Sequence, residues 1–186
     1  MGLLNSIFRQ NNKQVEYKIL DLINDIYPSF TRIAGQNKYS DIEGKILLLS
    51  VAINFINKKS GLTSEGKEHL QNDLYFLFFE QIDSTSEIFM RNNGFRSKQQ
   101  FVIERCKFYN MDFQYYMKGM GKSIPMGICY CLYKDPLGPI EYVMLNDVDY
   151  GFIDKYSFTN LPVILKFVDL YLPTHTKFEY KLSKIL

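Results

Sequence analysis

Tryptophan is missing from this 186-residue chain, and its 22 basic residues divide into 5 arginines and 17 lysines. So few arginines leave little capacity for bidentate readout of phosphates or base edges. The basic residues are also scattered, with Lys58 and Lys59 the only adjacent pair, and the net charge of +2 creates no strong field for polyanions. Nucleic acid is therefore disfavoured as a partner. Cysteine is limited to Cys106, Cys129 and Cys131, an odd number that implies no disulfide framework and suits thiols kept reduced in a cytosol. Long apolar runs are lacking as well. The longest, "ILLLSVAINFI" at 46–56, is broken by Ser50 and Asn54 and falls short of the roughly 20 residues that a membrane span requires. The first ten residues carry no basic stretch ahead of an apolar one, so no secretory signal is read there. Together these features predict a soluble, cytoplasmic protein.

The two histidines leave few nucleophile–base combinations, and no H-E-x-x-H or G-x-S-x-G motif occurs. His69, after Glu65 and Glu68, reads as a solvated surface histidine, since one E-x-x-x-H cannot build a di-iron bundle. C-x-C at 129–131 has neither histidine within local ligand spacing, so the cysteines read as small buried hydrophobes and no metal is expected. Asp147, Asp149 and Asp154 fail the calcium-loop pattern, because the sixth place counted from Asp147 is Phe152 and the twelfth is Phe158. No cofactor and no assembled catalytic set is predicted.

"YYMKGMGKSIP" at 115–125 resembles the end of a phosphate-binding loop in Gly121, Lys122 and Ser123, yet Tyr116 stands where the first glycine is needed. The segment reads as a helix terminator at Gly119. Lys122 beside a helix capped by Ser123 would still form a modest anion or phosphate site, which defines the alternative reading: a small enzyme or ligand-binding protein. "MGLLNS" fits the myristoylation pattern through Gly2 and Ser6, and residues 2–10 could touch a membrane surface, although Arg9 is their only cation.

What the chain has in quantity is apolar residues at helical spacing. Leu3, Leu4, Ile7 and Phe8 share one face; Val15, Ile19, Leu22, Ile23 and Ile26 define a helix that ends before Pro28. Ser40 with Glu43 forms a capping-box pair that opens a helix running to Lys58 and Lys59, apolar almost all round and so predicted to be central, with Gly61 at its end. Thr63 caps the next helix, Ser84 with Glu87 makes a second capping box, Gly94 closes that segment, and Ser97 with Gln100 starts a helix whose buried row is Val102, Cys106, Tyr109, Phe113 and Tyr116. After residue 138, turn clusters leave room for a short strand element. A helix opens at Pro162 and continues to Pro173, and Phe178, Tyr180 and Leu182 fit either a helix or a strand. The expected fold is a mainly α, single-domain helical bundle over residues 1–186.

Phe and Tyr number 15 and 14, a composition that codon bias in an AT-rich genome would also produce. The stretches 74–79 and 108–116 nevertheless hold more rings than one helical face can bury. A non-catalytic protein–protein interaction module, with a protein partner or a second copy, is the function predicted. Its recognition surface would draw on Tyr75, Phe79, Tyr109 and Tyr115.

Overall fold

The structure is a computed structural model, and it describes residues 2–31, 38–117, 126–133, 137 and 150–186. All secondary structure among them is helical: α1 (Gly2–Ile26), α2 (Pro28–Thr31), α3 (Lys38–Lys58), α4 (Ser64–Glu80), α5 (Ser84–Asn92), α6 (Lys98–Met117), α7 (Met126–Tyr133) and α8 (Tyr150–Ile185). Residues 138–149, where a strand was left open, lie outside the described residues.

The near-continuous apolar sequence of α3 has the consequence predicted for it. Ile46 to Leu49, Val51 to Ile53 and Ile56 are all buried, and the helix packs against α1, α2, α4, α6, α7 and α8. Ser50 survives in this setting because its hydroxyl donates to the Leu47 carbonyl at 2.7 Å, so no polar atom is stranded. The two N-terminal apolar clusters belong to one helix, α1, whose Ile19, Leu22, Ile23 and Ile26 are buried.

Capping explains the other boundaries, with two corrections. Thr63 accepts from the Gly66 amide at 3.1 Å and begins α4 as predicted. Ser97 accepts from the Gln100 amide at 3.1 Å, while the Gln100 side chain reaches the Arg96 amide one residue before the cap. Gly94 takes φ +90°, a conformation that suits glycine, and closes the α5 turn. At α5, however, the cap is Asp83 and not Ser84: its carboxylate accepts from both the amide and the hydroxyl of Ser86, at 2.8 and 2.9 Å. Glu87 is thereby freed to pair with Arg91 at 2.8 Å. The Ser40–Glu43 box does not form either, because α3 already begins at Lys38 and both side chains turn inward.

Proline proved a misleading boundary signal. Pro162 and Pro173 lie inside the 36-residue α8. Phe167, Tyr171, His175, Phe178 and Leu182 form one buried stripe through Pro173, and burying side chains of this size contributes about 1.5–3 kcal/mol each, against about 3 kcal/mol for an internal proline. The tail is thus helical, with Tyr180 on the outside.

Candidate functional site

The densest polar cluster is internal and begins with the serine and glutamate that resembled a cap. Ser40 donates to the Leu132 carbonyl of α7 at 2.7 Å. One turn further along α3, Glu43 is fully buried and meets Arg105 of α6, whose Nη2 lies 2.9 Å from Glu43 Oε1. The Tyr109 hydroxyl donates to Glu43 Oε2, and the Leu137 amide donates to Oε1 at 2.8 Å. Arg105 also directs Nη1 at Cys131 Sγ, 3.1 Å away on α7, and its guanidinium lies 4.8 Å from the centre of the Phe101 ring.

Helical periodicity sets this arrangement. Arg105 and Tyr109 are four residues apart, hence on one face of α6, and α3, α6 and α7 pack against one another around them. Leu137 completes the clamp. Its φ of 60° is left-handed, costly for a branched side chain, and it is held by the Glu43 carboxylate at its amide, by the Asn93 side-chain amide at its carbonyl (3.1 Å) and by complete burial of its own side chain.

Burial pushes the Glu43 carboxyl above the ordinary carboxylate range, while Arg105, the Tyr109 hydroxyl and the Leu137 amide pull it back. Tyr109 is raised well above its usual value, first by burial and then by the neighbouring carboxylate, so it remains a hydroxyl donor. Burial also raises the Cys106 thiol. A carboxylate engaged by three donors and closed from solvent has no open position for a substrate atom, so the chemistry of this node is to hold α3, α6, α7 and Leu137 in register.

The four predicted recognition rings fare differently from their assignment. Tyr109 is wholly buried in the node and Phe79 is buried, so neither can contribute to an exposed surface. Tyr75 is half-buried, stacked on Phe79 with ring centres 5.9 Å apart, and its hydroxyl lies near the Cys106 thiol. The side chain of Tyr115 lies outside the described residues, as do Lys122 and Ser123 and the side chains of residues 2–10. The ring that α4 leaves outside is Phe76, at 63% exposure, because Leu74 and Phe78 face the core and Tyr75 and Phe79 face its flank. Cys106, Cys129 and Cys131 are free thiols, all buried. Among the described residues no three His, Cys, Asp or Glu side chains are grouped to hold a metal, and no helix is long and apolar enough to cross a membrane.

On sequence Glu43 reads as a cap and Arg105 is not singled out, although one signal exists. Arg105 stands on the apolar row of α6 between Val102 and Tyr109, where a charged residue requires a buried partner. Comparison of the chain with models of protein families, with curated proteins and with solved structures finds no match.

Proposed function

We propose that this chain is a non-catalytic protein–protein interaction module of the cytosol, acting through the outward face of α4. The observation that carries the reading is Phe76, a large apolar ring exposed at the centre of a charged helical face. Its neighbours on that face are Glu65, Glu68, Asp73 and Glu80, all exposed, so a partner meets an apolar anchor rimmed by carboxylates. The buried node supports the reading indirectly: it fixes the scaffold and engages its polar groups with one another. The three reduced thiols fit a cytosolic location.

The test is affinity capture from the native cell with tagged wild-type protein and a Phe76→Ser variant, followed by mass identification. Removing an anchor of this size weakens binding by about tenfold, so captured species should fall away from the variant. Identical capture by both proteins removes the proposal.

A further inference from the structure

We infer that the acidic face of α4 docks on a basic face of α8 belonging to a second copy of this chain. The inference rests on the interaction reading above and supplies its partner.

On a helix turning about 100° per residue, Lys166, Lys177, Lys181 and Lys184 fall within an arc of roughly 60°. All four are exposed, and their arc lies roughly 100° around the helix from the buried stripe of Phe167, Tyr171 and Phe178. Leu170, 36% exposed, and Tyr180, 61% exposed, lie on or beside the same arc. Lys184 Nζ sits 4.2 Å from the centre of the Tyr180 ring, giving the face a cationic edge around an aromatic. The one exposed carboxylate near this stripe is Asp169.

The outward face of α4 is its counterpart in sign and shape. Glu65, Glu68, Asp73 and Glu80 occupy an arc of roughly 140° centred near Phe76, with no exposed lysine or arginine on the helix. Lys67, the only lysine or arginine of α4, is turned away to the Asn57 carbonyl at 2.8 Å, while the exposed His69 lies on the same arc 3.7 Å from Glu65. Lengths agree as well: α4 spans roughly 24 Å and the lysine stripe roughly 27 Å at 1.5 Å per residue. In a chain of net charge only +2, segregation of four acids on one helix and four lysines on another is what a self-complementary molecule requires.

Solvated charged faces are common, and each exposed pair contributes little alone. The two faces differ from this background in placing an exposed apolar side chain within each set of charges: Phe76 in the acids, and Leu170 with Tyr180 among the lysines. Because the surfaces are different, the contact is heterologous. One helix face against another lies at the small end of interface sizes, so the association should be weak and salt-sensitive.

Sedimentation velocity tests this directly. Wild-type protein at about 100 µM should self-associate at about 20 mM salt and dissociate at about 500 mM. Reversal of α8 (Lys177→Glu with Lys181→Glu) and reversal of α4 (Glu68→Lys with Asp73→Lys) should each weaken self-association by about tenfold or more. All four positions are exposed, so circular dichroism should remain that of wild type. An equimolar mixture of the two reversed proteins should associate again, since each then offers the face that the other lacks. A wild type that stays monomeric at low salt overturns the inference, as does association that survives reversal or fails to return in the mixture. If the chain is monomeric but Phe76→Ser still loses captured proteins, the interaction reading stands and only the second copy is rejected as partner.

Discussion

Removing Arg105 should destabilise the protein more than removing Arg105, Glu43 and the Tyr109 hydroxyl together. Arg105 and Glu43 are 1% and 0% exposed at the side chain, with a 2.9 Å contact. Arg105→Met therefore leaves a carboxylate in the core with two neutral donors, the Tyr109 hydroxyl and the Leu137 amide. Breaking one side of such a pair costs about 3–5 kcal/mol. The triple variant Glu43→Leu, Arg105→Met, Tyr109→Phe removes both charges and the orphaned hydroxyl. The Leu137 amide then lacks its acceptor, which costs about 1–3 kcal/mol. The single change should thus lose roughly 2 kcal/mol more than the triple, a coupling of opposite sign to simple addition. Urea unfolding followed by circular dichroism measures each difference, and unchanged slopes would show that the unfolding transition itself is preserved. If Arg105→Met costs under about 1 kcal/mol, or if the triple loss equals the sum of the single losses, the node is not the closed ion pair described.

His175, 8% exposed on the buried stripe of α8, has its pKa lowered from 6.5 by burial and secondarily by Lys58 of α3, against the opposing pull of Glu179 3.6 Å away on its own helix. A histidine held below its unfolded value binds fewer protons when folded. Its contribution is therefore complete above pH 6.5 and is lost as pH falls through 6.5 toward the lowered value, by up to about 1.4 kcal/mol per pH unit. In urea titrations across that window His175→Gln should show a shallower acid loss than wild type, and parallel curves would refute the assignment. Asp83→Ala should cost about 1–2 kcal/mol through loss of the α5 cap, whereas Ser84→Ala should stay within about 0.5 kcal/mol, and the reverse order in thermal melting would restore Ser84 as the cap. Ser40→Ala should cost about 1 kcal/mol by stranding the Leu132 carbonyl, and a neutral result would mean that another donor reaches it.

The helical class, the central position of α3 and the cap at Thr63 were all legible, because each depends on neighbours within a few residues along the chain. Spacing of apolar residues and a threonine three residues before a free amide are local signals. The Ser40–Glu43 pair shows where such reading stops. Its pattern was conspicuous, but the same hydroxyl and carboxylate that could cap a helix found partners 92 and 94 residues away at Leu132 and Leu137. A capping box stabilises by about 1 kcal/mol, while leaving Arg105 buried without a counter-charge costs several. Tertiary demand therefore overrode the local option. Pro162 and Pro173 failed as boundaries for a related reason, since the buried stripe on α8 extends across Pro173.

Crowding of rings at 74–79 implied that one would be left outside; the assignment to Phe79 failed on rotation about the α4 axis, and Tyr75 is only half-buried. Tyr75 and Phe79 share the flank that meets Cys106, so the ring left over is Phe76, roughly 100° from Tyr75 around the helix. Sequence spacing places Phe76 among Glu65, Glu68, Asp73 and Glu80, and the rotation turns that whole face outward, where the exposed ring has a charged rim. Burial of one aromatic pair and exposure of its neighbour are thus two results of a single packing decision. Turning α4 to expose Tyr75 would withdraw Phe79 from the core and would carry Phe76 and its acidic arc together away from the outward face on which both the proposed recognition surface and the self-complementary contact depend.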